Sequence, residues 1–128
     1  MAQQFVDEKV KNNKVMVFSK SYCPFCKMAK EALGETGVKY GLVELDERGI
    51  KLIIHAGILT IFSIVNYFYP PGLADDGSAI QDYLLKITGA RSVPRVFIDG
   101  KCIGGGSETR ALQDQGKLVP MLKEIGAL

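Results

Sequence analysis

The sequence predicts an α/β domain: a mixed sheet with helices packed on both faces. Three observations carry this. The apolar run Val15-Met16-Val17-Phe18 leads into Cys23-Pro24-Phe25-Cys26 and then into a helical pattern. A second strand-like run closes at Leu45. A later helical stretch is followed by two short strands about Asp99-Gly100, and then by further helix. Strand–helix–strand followed by helix–hairpin–helix is the order of a mixed, layered sheet.

Taken in order, residues 3–12 read as a short helix with Phe5, Val6 and Val10 on one face. Residues 14–19 read as a buried strand. Residues 24–33 read as a helix with Met28, Ala29 and Leu33 inward, stopped near Gly34 and Gly37. Residues 38–45 read as a second strand, ending in the charged turn Asp46-Glu47-Arg48. Asp76-Gly77-Ser78 opens a helix over 79–87, with Ile80, Tyr83, Leu84 and Ile87 at helical spacing and Gly89 ending it. Residues 95–98 and 101–103 pair about Asp99-Gly100, a dipeptide suited to a tight hairpin. Gly104-Gly105-Gly106 leads into a helix near Ser107-Glu108, with Ser107 read as the N-cap. The last helix follows Gly116, with Leu118, Leu122 and Ile125 inward.

The chemistry points to the two thiols. A strand running into cysteine, followed by proline at the first helical position, sets the Cys23 sulfur at a helix N-terminus. Unpaired N–H groups and the helix dipole there favour the thiolate, the form that attacks disulfides. Lys20 adds a nearby cation. Cys26 lies one turn on, placed to form a disulfide with Cys23 and release a mixed-disulfide intermediate.

Composition bounds the alternatives. The chain has 128 residues, 47% of them hydrophobic, enough for one core and one domain. A net charge of +2 argues for neither a nucleic-acid nor a membrane partner. Three cysteines leave Cys102 unpaired, against a secreted disulfide framework. No apolar signal-peptide core follows Met1, so a reducing, cytoplasmic setting is expected. A structural zinc site at Cys23 and Cys26 would need four ligands; only Cys102 and His55 remain to complete it, and His55 lies in the compositionally foreign segment 49–74, so redox chemistry is favoured. No metal is therefore expected. Cys102 is expected to be a buried structural thiol.

Residues 49–74 read unlike the rest. From 52 to 69 there is no Asp, Glu, Lys or Arg. Length and charge would pass as a transmembrane span. A single crossing would part the two halves of one sheet, so no membrane span is expected. Excision joins Arg48 to Asp75 in a smooth polar turn and removes a whole number of codons. Our hypothesis is a retained, in-frame intron. A codon other than GGT at Gly49, or no AG at the far end, excludes it.

The run Val17-Phe18-Ser19-Lys20-Ser21-Tyr22-Cys23-Pro24-Phe25-Cys26, the run Ser92-Val93-Pro94-Arg95-Val96-Phe97-Ile98, and Cys102-Ile103-Gly104-Gly105 together resemble a classical dithiol glutaredoxin. The resemblance covers essentially the whole chain outside 49–74, which stands as a foreign apolar insertion between the second strand and the next helix. It implies a thioredoxin-like fold, with a four-stranded mixed sheet flanked by helices on both faces. It implies a glutathione-dependent thiol–disulfide oxidoreductase that reduces glutathione mixed disulfides and protein disulfides, with glutathione as co-substrate. Cys23 is then the nucleophile and Cys26 the resolving thiol. A cis Val93–Pro94 bond would present the Val93 backbone to glutathione as an added strand. Lys20, Gln81 and Arg91 stand where the family binds the glycine carboxylate of glutathione. Ser107 and Glu108 stand at its γ-glutamyl end, and Tyr22, Phe25, Ser92, Pro94, Gly105 and Gly106 complete the expected binding surface. Cations and a helix N-terminus suit the tripeptide's carboxylates. Phe25 replaces the commoner Tyr, and Glu108 the commoner Asp. An iron–sulfur cluster shared between two subunits, found in some members, is disfavoured by Pro24, and a monomer is expected. The rival reading is a non-catalytic chain whose insertion blocks glutathione, surviving as a binding module or an unstable splice product.

Overall fold

Strand β1 (Val15–Ser19) is buried along its whole length and decides the layering. Successive side chains of a strand point to opposite faces. Val15 and Val17 therefore enter one core, and Met16 and Phe18 the other. The computed structural model describes residues 2–46 and 77–128. The 49–74 segment, with the Glu47-Arg48 and Asp75-Asp76 ends flanking it, lies outside these residues.

The described elements run α1 (Ala2–Asn12), β1, α2 (Pro24–Thr36), β2 (Gly41–Glu44), α3 (Gly77–Thr88), β3 (Arg95–Ile98), β4 (Lys101–Gly104), α4 (Gly106–Asp114) and α5 (Leu118–Glu124). The strands form one sheet in the order β2-β1-β3-β4. β1 and β2 are parallel, joined by the α2 crossover that a parallel pair needs. β1–β3 and β3–β4 are antiparallel, so the sheet is mixed. One core joins Val15, Val17, Val96 and Ile98 to Ala29 and Leu33 of α2 and to Leu118 and Leu122 of α5. The other joins Met16, Phe18, Val43 and Phe97 to Val6 of α1 and to Ile80 and Leu84 of α3. Phe18 and Phe97 meet edge to face, with ring centroids 5.8 Å apart. Among the described residues, five helices thus cover a four-stranded sheet from both sides.

Several boundaries differ from the sequence reading. Helix α2 runs through Gly34 to Thr36. The stop is Gly37, whose left-handed φ of 77° lets its N–H bond to the Gly34 carbonyl. Strand β2 begins only at Gly41, because Val38 packs into the core without joining the ladder. Ile87 is exposed, since the inward stripe of α3 is Gly77, Ile80, Gln81 and Leu84. Cys102 is half-buried, not fully buried, because β4 is an edge strand. Ser107 is not the N-cap. Gly105 holds that position with extended backbone, and Ser107 sits exposed inside the first turn.

Glycine is required at 106 for a specific reason. A Cβ there would lie 2.3 Å from the Phe25 carbonyl oxygen, a backbone atom that cannot swing away. This close approach lets the α4 N-terminus press on the first turn of α2. Gly34 has open space around it on an exposed helix face. Opposite outcomes are expected for the two alanine substitutions. Gly106→Ala should lower unfolding stability by about 1–3 kcal/mol. Gly34→Ala should raise it by about 0.5–1 kcal/mol. Urea titration of both variants checks the contrast.

Candidate active site

The end of β1 delivers a tight turn and then a helix. The Cys23 N–H donates to the Lys20 carbonyl at 3.1 Å, and Pro24 occupies the start of α2. Cys23 is the N-cap, and its Sγ accepts the Cys26 backbone N–H at 3.4 Å. A cap of this kind replaces one of the hydrogen bonds missing at a helix start. The same sulfur lies 3.7 Å from the Val93 carbonyl oxygen, to which its thiol donates. The Val93–Pro94 bond is cis. Cys23 is half-buried, flanked by exposed Tyr22 (72%) and Phe25 (53%).

Cys26 is different. It is fully buried, and its Sγ accepts the Lys20 N–H at 3.4 Å. Burial pushes its thiol up from the ordinary 9.0 to about 11, and hydrogen bonding with Cys23 adds to the rise. The Lys20 N–H and the Ser19 side chain act the other way without cancelling it. One thiol at the surface beside a buried, protonated partner is an asymmetric pair. The two thiols therefore differ in access to solvent and in ease of ionisation, the two properties that govern thiol–disulfide exchange.

The loop before Cys23 is anchored. Ser21 donates its N–H to Asp46 at 3.0 Å and also its hydroxyl. Burial alone would raise the Asp46 carboxyl. The Ser21 bonds outweigh it, with Lys20 adding attraction, and hold the group below its ordinary range.

The remaining residues expected at the site fall into two groups. Gly105 and Gly106 sit beside the thiol motif. A Cβ on Gly105 would lie 3.3 Å from the Pro94 carbonyl, and one on Gly106 would strike Phe25. Contacts therefore run from Cys23 through Val93 and Pro94 to Gly105, and from Gly106 back to Phe25. Glu108 accepts the Gly105 N–H at 3.0 Å, capping its own helix. Backbone N–H groups, its own and that of Gly105, lower its carboxyl, and Arg95 assists. Gln81 and Arg91 form the second group. Gln81 is buried, with its amide donating to the Arg91 carbonyl at 3.1 Å. The Arg91 guanidinium is exposed and binds Asp82 at 2.9 Å and Ser78 Oγ at 2.8 Å. Ser92 is exposed between the groups.

Two features were missed in the sequence. Arg95, whose Nε donates to the Pro94 carbonyl at 2.8 Å, brings a cation to Glu108 and Gly105. Its place one residue after Pro94 was a usable signal. Behind Cys26, Ser19 and Glu44 are buried polar side chains, with Lys30 bound to Glu44 at 2.8 Å. A serine ending a fully buried strand was the signal there.

Comparisons with known proteins agree with this geometry. The family model described as Glutaredoxin matches residues 15–54 and 73–103, breaking inside the apolar segment. Glutaredoxin-1 of Mus musculus is 41% identical over 128 residues, covering 100% of this chain and 98% of its own. Oxidised glutaredoxin 2 of Chlamydomonas reinhardtii superimposes with a TM-score of 0.73 at 41% identity, over 99% of this chain and 95% of that one. The buckwheat glutaredoxin–glutathione complex gives 0.75 at 38% identity, over 100% and 93%.

The Cys26 shift has a consequence for stability. The unfolded thiol ionises near 9.0 and the folded one near 11. Protons therefore leave the unfolded chain first as pH rises. The stability linked to Cys26 is complete below pH 9 and is lost on passing through 11. Under reducing conditions, urea unfolding should show a steeper alkaline decline for the parent than for Cys26→Ala.

Proposed function

This chain belongs to the glutaredoxin family of oxidoreductases, and from that premise we propose that it reduces glutathione mixed disulfides and protein disulfides by the two thiols of its Cys-Pro-Phe-Cys turn. The observation that carries the reading is the unequal pair: Cys23 at a helix start beside the Val93 carbonyl, and Cys26 buried and protonated behind it.

In the first step the Cys23 thiolate attacks the sulfur of a glutathionylated substrate. The Cys23–glutathione disulfide forms, and the substrate leaves as a thiol. A second glutathione then attacks, giving glutathione disulfide and free Cys23. With a protein disulfide, Cys26 instead attacks the Cys23 sulfur and expels the substrate thiol. The N–H that Cys26 donates to Cys23 stabilises negative charge on that sulfur.

Glutathione would lie along Val93, bonding its cysteinyl backbone to the Val93 main chain as an added strand would. Its glycine carboxylate would meet Lys20 and Arg91, with Gln81 bracing the Arg91 backbone. Its γ-glutamyl end would meet the N-terminus of α4 at Gly106, Ser107 and Glu108. Tyr22, Phe25, Ser92, Pro94 and Gly105 would line the contact. The Asp82 pairing of Arg91 is exposed and weak, so exchange for a ligand carboxylate is inexpensive. We further propose one domain carrying 49–74 as an insertion, acting as a monomer in the cytoplasm on glutathionylated or disulfide-bonded proteins. No nucleic-acid or metal partner enters the reaction.

Glutathione-dependent reduction of a small glutathionyl disulfide is the test. Cys23→Ser should abolish turnover. Cys26→Ser should keep the small substrate and lose protein disulfides. Deleting 49–74 should leave the rate within about 2-fold. Activity in the deletion alone would favour the rival reading, a glutaredoxin domain disabled by its insertion. Activity in Cys23→Ser would overturn the proposal.

A further inference from the structure

The proposed reaction leaves one step without a partner. Cys26 must lose a proton when it attacks the Cys23 disulfide, yet it is fully buried. The fold places a connected polar group beside it. The parallel register pairs Ser19 with Glu44 at the ends of β1 and β2. Strand alternation turns both toward α2, because Phe18 and Val43 enter the opposite core. On α2, Cys26 and Lys30 are one turn apart and share a face. The Ser19 hydroxyl donates to Glu44 Oε2 at 2.8 Å. The next residue, Lys20, gives its N–H to the Cys26 sulfur at 3.4 Å, so the end of β1 lies against that sulfur, and the Ser19 side chain lowers the Cys26 thiol. Lys30 Nζ donates to Glu44 Oε1 at 2.8 Å.

We propose that Ser19 and Glu44 form a proton-accepting chain for Cys26 in the resolving step, with Lys30 holding Glu44 in place. The inference rests on the reaction proposed above. As the Cys26–Cys23 bond forms, the Cys26 proton passes to Ser19 Oγ, and the Ser19 proton passes to Glu44 Oε2. The bond between Cys23 and the substrate sulfur breaks, and its electron pair leaves with the substrate thiolate. Glu44 returns its proton to solvent past Lys30, which is partly exposed, and the substrate thiolate takes one up. Lys30 allows the carboxylate to stay buried as an anion. Burial alone would lower the Lys30 ammonium, but the Glu44 hydrogen bond and charge outweigh it.

The groups that act on Cys26 are Cys23 from α2 and Ser19 and the Lys20 N–H from β1 and its turn; Lys30 of α2 feels its charge, and Glu44 of β2 and Tyr40 act on Lys30. Ser19 acts on the Cys26 thiol, whereas Glu44 acts through Ser19 and is a positioning residue.

The test compares two rates in each variant: reduction of a protein disulfide, which needs Cys26, and reduction of a small glutathionyl disulfide, which needs Cys23 alone. Glu44→Gln and Ser19→Ala should lower the ratio of the first to the second about 10-fold or more at pH 7. The deficit should shrink as pH approaches 11, where hydroxide ionises Cys26 unaided. Ser19→Ala leaves the Lys30–Glu44 pair in place, so it separates the chain from simple loss of a buried charge pair. An unchanged ratio, or a deficit that is the same at every pH, overturns the inference. A parent chain inactive on the glutathionyl substrate would instead count against the proposed function.

Discussion

The site depends on β1 having no solvent-facing side. Every residue from Val15 to Ser19 is buried, so the strand is clamped between two cores and its end cannot drift. The turn after it delivers Cys23 to the start of α2, and Ala29 and Leu33 press that helix onto the sheet. The first sulfur is thereby fixed at a helix N-terminus and the second beneath it. Neither position depends on the side chains that surround the thiols at the surface.

A second constraint comes from α4. Its N-terminus abuts the Phe25 backbone closely enough that only glycine fits at 106. Thr109 is fully buried and bonds back to the Gly105 carbonyl at 2.8 Å, and Glu108 holds the Gly105 N–H. Farther along, Arg110 reaches across to Glu35 of α2 with two hydrogen bonds. That pair is exposed and worth little in energy. The start of α4 packs directly on the backbone of the first turn of α2. The same packing brings backbone N–H groups at the start of α4 next to the thiol turn, where a ligand carboxylate would need them.

Much of this was legible in the residues. Alternation in β1, the Pro24 helix start, the Asp99-Gly100 hairpin and the glycine run all carry local signals, and each element exists where those signals stand. Asp99 and Gly100 both have positive φ, 51° and 79°, as the tight hairpin requires. What was not legible depended on long-range register. Nothing near Ser107 announces that Gly105 takes the cap, because the choice follows from the contact with Phe25. Ile87 continues the apolar spacing of α3, but the buried Gln81 shifts the inward stripe. Ser19 and Glu44 are 25 residues apart and meet only through strand pairing. The 49–74 segment stands out by composition, and the family match breaks within it.

The central claim is that Cys23, alone among three cysteines, carries the glutathionyl group. The most direct measurement is intact mass and peptide mapping of the full-length Cys26→Ser chain after exposure to glutathione disulfide. The account predicts one glutathionyl adduct, on Cys23, with Cys102 left as a thiol. Modification at Cys102 with Cys23 untouched, or no adduct at all, would contradict it.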